Sequence, residues 1–271
     1  MKKTAFIITV YKNDKLEFFK ESIESIVNQD YGFKNINIYL GIDGYLPDDI
    51  QNYIEKNKVN FYKIVKNENN KGLAFTLNRL IDILEEEEYV FRMDGDDICR
   101  LDRVSKQVEA FRKDSELLLI GSDLIEIDEF GQEHRSKEMP TEMNEIIKFS
   151  IARNPFNHPT VAMRKEFFKV VGKYNEKFLK SQDYELWARA LISGIKATNV
   201  SEPLLYFRVT SDYMNKRNAF VNYINEFKVS MTLVKHFRMY SQFPKVLAKL
   251  IVRMMPSSIG KLVYKKMRGE K

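Results

Sequence analysis

Over its first 97 residues the chain alternates four apolar-rich runs of strand length with segments of helical periodicity, and few folds accept that pattern. Residues 5–10 (Ala-Phe-Ile-Ile-Thr-Val) form a nearly continuous β-branched and aromatic run, the mark of a buried parallel strand. Leu16, Phe19, Ile23, Ile26 and Val27 then recur at helical spacing, which predicts an amphipathic helix over 15–29. Ile36 to Ile42, Asn60 to Val65 and Tyr89 to Met93 read as three more strands, with helices over 47–57 and from Lys71 to Leu84 between them. Strand and helix in alternation with short links predict right-handed βαβ units and a mostly parallel sheet flanked by helices. Ligands of such sheets bind at the carboxyl ends of the strands. Tyr11, Asp43 and the run Asp94-Gly95-Asp96-Asp97 each follow a strand directly. Further on, the pattern predicts helices over 101–114, 142–151, 165–171 and 183–193, and strands over 117–127, 161–163 and 204–209. Residues 154–159 (Asn-Pro-Phe-Asn-His-Pro) read as a rigid loop.

The 271 residues suffice for one large α/β domain, expected over 1–220, and an appendage over 221–271. Cys99 is the only cysteine, which excludes a disulfide framework and a Cys-built zinc site. With three histidines, a hard divalent ion would rest on carboxylates. No apolar run is long enough to span a membrane, and the apolar start is too short for a signal peptide, so a cytoplasmic location is expected. Charge is uneven. Residues 228–271 hold 11 Lys/Arg against the single acid Glu270, and the other 227 residues hold 33 basic against 37 acidic side chains. Such a tail suggests an anionic partner. Val246, Leu247, Leu250, Ile251 and Met254 interleave with Lys245, Lys249 and Arg253, between Pro244 and Pro256. That spacing suits a basic amphipathic helix lying on an anionic membrane surface, or a helical piece packed on the body with a solvated basic face. No nucleic-acid motif accompanies the charge, so nucleic acid is not expected as a partner.

Asp94-Gly95-Asp96-Asp97 is the sharpest chemical feature. A strand that delivers alternate carboxylates can hold Mn²⁺ or Mg²⁺ together with substrate phosphate oxygens. The same tetrapeptide also suits a turn with Asp97 capping a helix.

In order and spacing, several segments resemble family 2 glycosyltransferases over about residues 4–210: Thr9-Val10-Tyr11, Ser25-Ile26-Val27-Asn28-Gln29, Asn69-Asn70-Lys71-Gly72-Leu73 with Asn78, Asp94-Gly95-Asp96-Asp97, and Gln182-Asp183-Tyr184-Glu185-Leu186-Trp187. The resemblance implies a GT-A (Rossmann-like, nucleotide-binding) fold and transfer of a sugar from a nucleotide-sugar donor, usually with inversion and a divalent metal. It implies that Asp94 and Asp96 contact ribose and metal, with Asp96 the direct ligand, and that Asp183 is the general base. Thr9, Tyr11, Asp43, Lys71, Arg79 and Gly95 would lie at the nucleotide, and Arg208 would face the diphosphate. His158, before Pro159-Thr160, and Trp187 would lie on the acceptor side. For these residues plainer roles stand beside those: a helix cap for Asp183, a hydrogen-bonded loop residue for His158, a core residue for Trp187. Two departures from the family pattern are visible. The common Asp-Asp-Gly is Ile42-Asp43-Gly44 here, and the Glu-Asp pair is Gln182-Asp183.

Transfer with inversion needs a carboxylate to take the acceptor hydroxyl proton, and cations on the opposite face for the leaving diphosphate. Asp183 and the Asp94/Asp96 pair supply both halves. The expectation is a UDP-sugar transferase acting on a lipid-linked glycan in surface-polysaccharide synthesis, peripheral on the inner face of the cell membrane. Two alternatives stand beside it. A nucleotidyltransferase would be expected to carry a Gly-rich basic loop where Tyr11-Lys12-Asn13-Asp14 stands. A non-catalytic glycan- or membrane-binding protein with a decayed GT-A fold would not need Asp94, Asp96 and Asp183 intact.

Overall fold

The computed structural model describes residues 3–178, 180–210 and 220–254. The first half follows the predicted alternation: β1 (Thr4–Val10), α1 (Leu16–Val27), β2 (Ile36–Asp43), α2 (Asp48–Lys56), β3 (Lys63–Asn67), α3 (Leu73–Asp82) and β4 (Tyr89–Met93). β3, β2, β1 and β4 lie side by side, all parallel. β1, β2 and β4 are buried on both faces because helices cover both, whereas β3 is a half-exposed edge strand. Phe6, Ile8, Ile38 and Leu40 pack toward α1, while Ala5, Ile7 and Tyr39 pack toward α3.

Beyond β4 the chain continues as β5 (Ile98–Cys99), α4 (Arg103–Lys113), β6 (Leu117–Ile127), β7 (Glu133–Lys137), α5 (Met143–Ala152), β8 (Ala162–Arg164), α6 (Phe167–Val170), α7 (Gln182–Ile192) and β9 (Lys196–Arg208). The full order is β3-β2-β1-β4-β8-β6-β9-β5, with β7 on β6. Here the pairing is mixed: β8 runs antiparallel to β4 and β6, β7 antiparallel to β6, and β9 parallel to β6. Three strands depart from the periodicity. β5 has only two residues, and β7 (Glu-His-Arg-Ser-Lys) carries no apolar side chain. β9 starts at Lys196, ahead of its apolar stretch, because pairing with β6 carries it there.

α8 (Phe220–His236) and α9 (Phe243–Met254) follow. Val229, Leu233, Val234 and Val246 close a third apolar cluster with Ile151 of α5 and with Tyr184 and Ala188 of α7, so the extension packs on the body. The basic face expected on α9 is redistributed. Lys249 Nζ donates to Glu226 (2.9 Å) and to the Ala152 carbonyl (2.6 Å), and Arg253 pairs with Glu226. Glu226, half-way along α8, draws both cations inward. The Pro256 break and the rest of the basic tail lie outside the described residues. Among the described residues no helix is long and apolar enough to cross a membrane.

Candidate active site

Register brings the polar stops together. Asp43 pairs with Asn67, Val10 with Ile42 and Ile8 with Met93, so Tyr11, Asp43, Asn67 and Asp94 emerge at one edge of the sheet. Tyr11 opens a tight turn in which its N–H donates to Asp14 Oδ2 (2.9 Å). The buried Asp43 carboxylate accepts from Asn67 Nδ2 (2.9 Å) and from the backbone N–H groups of Lys71 (2.8 Å) and Gly72 (2.9 Å). The carboxylate therefore clamps the 67–72 loop at the start of α3. Gly44 is required beside it: its φ is +90°, and a Cβ would lie 2.7 Å from the Asn70 amide nitrogen. Lys71 leaves its side chain exposed, whereas Arg79 donates to Asn67 Oδ1 (2.6 Å) and the Lys66 carbonyl (3.0 Å).

The aspartate cluster rests on a buried arginine. Arg92, fully enclosed within β4, holds the Asp94 carboxylate in a fork, with Nη1 to Oδ2 at 2.7 Å. From α1, Ser22 Oγ donates to the Asp94 carbonyl (3.2 Å). Gly95 passes so close to β1 that a Cβ would sit 3.1 Å from the Thr9 carbonyl oxygen. Burial and the neighbouring Asp94 charge push the Asp96 carboxyl up to about 6. Asp97 is buried, not a helix cap: its Oδ1 accepts from the Arg208 N–H (3.0 Å), and its Oδ2 has no partner. Burial first, then Asp96 and Asp94, raise the Asp97 carboxyl well above the carboxylate range. A buried, under-compensated set of carboxylates is a fit for a divalent cation. Among the described residues no three His, Cys, Asp or Glu side chains form a metal-binding group. A cation held here would therefore take much of its coordination from donor oxygens and water.

Arg208 is committed elsewhere than the expected diphosphate contact. Its guanidinium is buried over the Phe18 ring (4.1 Å to the centroid). It donates to the carbonyls of Asp96 (3.0 Å), Asp128 (3.2 Å) and Glu129 (3.3 Å), and it pairs with Glu21. In this arrangement it fastens the aspartate turn to α1 and to the end of β6. Ser25 and Gln29 act alike. Ser25 Oγ accepts from the Cys99 N–H (3.0 Å), and Gln29 donates to the Arg100 carbonyl (2.7 Å) while accepting from the Val104 N–H (3.0 Å).

The opposite wall comes from distant segments. Because β8 pairs antiparallel with β4, the 3-10 turn His158–Thr160 before β8 reaches the end of β4. His158 Nε2 meets Tyr174 Oη at 2.8 Å. Burial, then the Arg92 charge, holds the imidazole well below its usual range, so it is neutral. Tyr174 is raised by burial; the Arg92 charge lowers it, and both Asp183 and Asp94 raise it. The phenol thus feels the carboxylates of both walls. Asn78 of α3 clamps the Tyr174 backbone from both sides, at 2.9 Å to its N–H and 2.9 Å to its carbonyl. Asp183 is the second residue of α7, which opens after Ser181 at φ 60°, so it is not the N-cap residue. Its Oδ2 accepts from Asn154 Nδ2 at 2.6 Å. Trp187 is corrected from the acceptor side to the core: it is 0% exposed, ringed by Phe156, His158 and Phe167, and no sugar can stack on it.

Sequence reasoning missed Arg92 and Tyr174, and it placed Asn78 in a motif and Asn154 in a loop without giving either a role in the site. Arg92 had a signal, a charge in an apolar strand two residues before Asp94 and therefore on the same face. The roles of the others show only in three dimensions.

The sequence profile of "Glycosyl transferase family 2" matches residues 5–172. The chain belongs to that family. This glycosyltransferase is 31% identical over 268 residues to the amylovoran biosynthesis glycosyltransferase AmsE of Erwinia amylovora, covering 97% of the chain and 98% of the relative. It is 27% identical over 271 residues to the UDP-Gal:alpha-D-GlcNAc-diphosphoundecaprenol beta-1,3-galactosyltransferase of Escherichia coli (97% and 96% covered). Among solved structures, S. aureus TarS 1-349 with UDP-GlcNAc superposes with a TM-score of 0.66 at 15% identity (93% and 72% covered). The mannosyltransferase PcManGT of Pyrobaculum calidifontis, with GDP-Man and Mn2+, gives 0.65 at 12% identity (98% and 80% covered). The glycosyltransferase therefore has the GT-A fold of these enzymes.

Proposed function

We propose that this glycosyltransferase moves a sugar, with inversion, from a UDP-sugar to a lipid-linked glycan during assembly of a surface polysaccharide at the inner face of a membrane. One observation carries the proposal. Tyr174, which meets His158 at 2.8 Å, lies within electrostatic reach of both Asp94 and Asp183, which supports a single site shared by the aspartate turn and the candidate base. The names of the amylovoran and galactosyltransferase relatives support the pathway class, a UDP donor and a diphospholipid acceptor.

In this reading, an Asp183 oxygen takes the proton of the acceptor hydroxyl as that oxygen attacks the anomeric carbon. Asn154 holds the other carboxylate oxygen, which fixes the direction of the base. Thr9, Tyr11, Asp43 and the exposed Lys71 line the nucleotide edge, and Asp43 acts there by shaping the 67–72 loop. Asp96 and, through the orientation Arg92 gives it, Asp94 would hold Mn²⁺ or Mg²⁺, which supplies positive charge for the departing diphosphate. His158, neutral and tied to Tyr174, presents a polar edge to the acceptor.

Calorimetric titration with UDP, GDP and CMP, with and without Mn²⁺, on the wild type and on Asp96→Ala tests the donor half. UDP binding that needs both the metal and Asp96 is expected. Selective binding of GDP or CMP would overturn the donor assignment, and binding of none would remove the support for a nucleotide site.

A further inference from the structure

The outer face of α9 is apolar where the helix was expected to be basic. Phe243, Leu247, Ile251 and Met254 follow at helical spacing and are 42%, 37%, 49% and 52% exposed, with Tyr240 at 63% just before them. Lys249 and Arg253 cannot serve as a charged face beside them, because both are turned inward onto Glu226. Lys235 at the end of α8, Arg238 after it and Lys245 on α9 are exposed. From Lys228 to Gly269 the sequence contains no acidic residue at all. An apolar stripe on a helical extension whose exposed charges from Lys228 onward are basic complements a surface that is anionic at its rim and apolar beneath.

We propose that the Phe243–Leu247–Ile251–Met254 face of α9 is the surface on which the enzyme docks to an anionic lipid bilayer. The helix has 12 residues and is roughly 17 Å long, too short to span but suited to lie along the headgroup boundary. Its attachment to the catalytic body points the same way. Lys249 bonds the carbonyl of Ala152, two residues before the Asn154 that holds Asp183, and Asn225 of α8 bonds the carbonyl of Lys180 (3.2 Å), just before α7. Docking through α9 would thus bring the bilayer to the base side of the site, away from the nucleotide edge. This placement rests on the lipid-linked acceptor proposed above.

The test is flotation of the full chain with vesicles of phosphatidylglycerol and phosphatidylethanolamine, against vesicles of phosphatidylcholine alone. Wild type, Leu247→Ser/Ile251→Ser and Lys235→Glu/Lys245→Glu are compared, each with its melting temperature and UDP affinity measured without lipid. Expected are flotation of wild type with the anionic vesicles, at least about tenfold weaker partition of both double variants, and unchanged melting temperature and UDP affinity. Equal flotation of wild type and Leu247→Ser/Ile251→Ser would overturn the proposal. So would a lowered melting temperature of that variant in lipid-free buffer with unchanged flotation, which would assign the stripe to internal packing. Vesicle binding and nucleotide binding are read separately, so loss of the donor assignment leaves the docking result intact, and the reverse.

Discussion

The two walls of the site are built in different ways. The wall proposed for the nucleotide comes from parallel strands: β2 and β3 end in Asp43 and Asn67, β1 and β4 are followed at once by Tyr11 and Asp94, and the strand register sets these at the same edge. There Asp43 is held by backbone N–H groups and Asp94 by a forked arginine, while Asp97 Oδ2 is left without a partner. The wall proposed for the acceptor is gathered from the loop after α5, the turn before β8, the segment around Tyr174 and the first turn of α7, and side-chain hydrogen bonds join these segments. A wall set by strand register resists single substitutions in position but loses its loop when a clamp goes. A wall of side-chain contacts loses chemistry at once and little stability.

Asp183→Asn sharpens that contrast most. It should lower the transfer rate by about 10²–10⁴ while UDP affinity and melting temperature stay near wild type, as read by product formation beside calorimetry. Full activity in the variant would break the assignment of the base. Arg208→Ala belongs to the other kind. Losing a buried guanidinium that serves three carbonyls should destabilise the protein by about 2–4 kcal/mol in urea unfolding. If stability held and UDP affinity collapsed, Arg208 would face the diphosphate as the family resemblance implies.

Asp43→Asn should be milder, about 1–3 kcal/mol, because an amide turned to either N–H sets a donor against a donor. UDP affinity should fall with it as the 67–72 loop loosens. The smallest effect is on pH dependence. The folded-state pKa of His158 lies below its unfolded value of 6.5, so the unfolded chain takes up the proton first. Stability from this group is therefore intact above about pH 6.5 and is lost as pH falls toward the folded value, by up to about 1.4 kcal/mol per pH unit. His158→Asn should flatten that part of the melting profile between pH 7.5 and 5.5.

The strands and helices of the first half were legible because parallel strands buried on both faces need unbroken apolar runs, and each ended where a polar residue had to meet the ligand edge. β7 was not, since its five polar residues are a strand only by pairing with β6. Trp187 illustrates the same limit in the site. An aromatic on an apolar helix face is compatible with core and with a sugar platform alike, and only the rings packed around it decide.

Residue order dictates the βαβ sequence and the edge at which Tyr11, Asp43 and Asp94 gather. Those features follow from periodicity and from the polar residues that stop each strand. Packing in three dimensions reveals that Arg208 faces backbone carbonyls, that Asp43 clamps a loop, that His158 meets Tyr174, and that α9 turns Lys249 and Arg253 inward and part of its apolar side out. Each depends on a partner between 16 and 112 residues away in sequence. Glu226, a single half-buried acid on α8, pairs with two cations of a helix whose own pattern permitted either orientation.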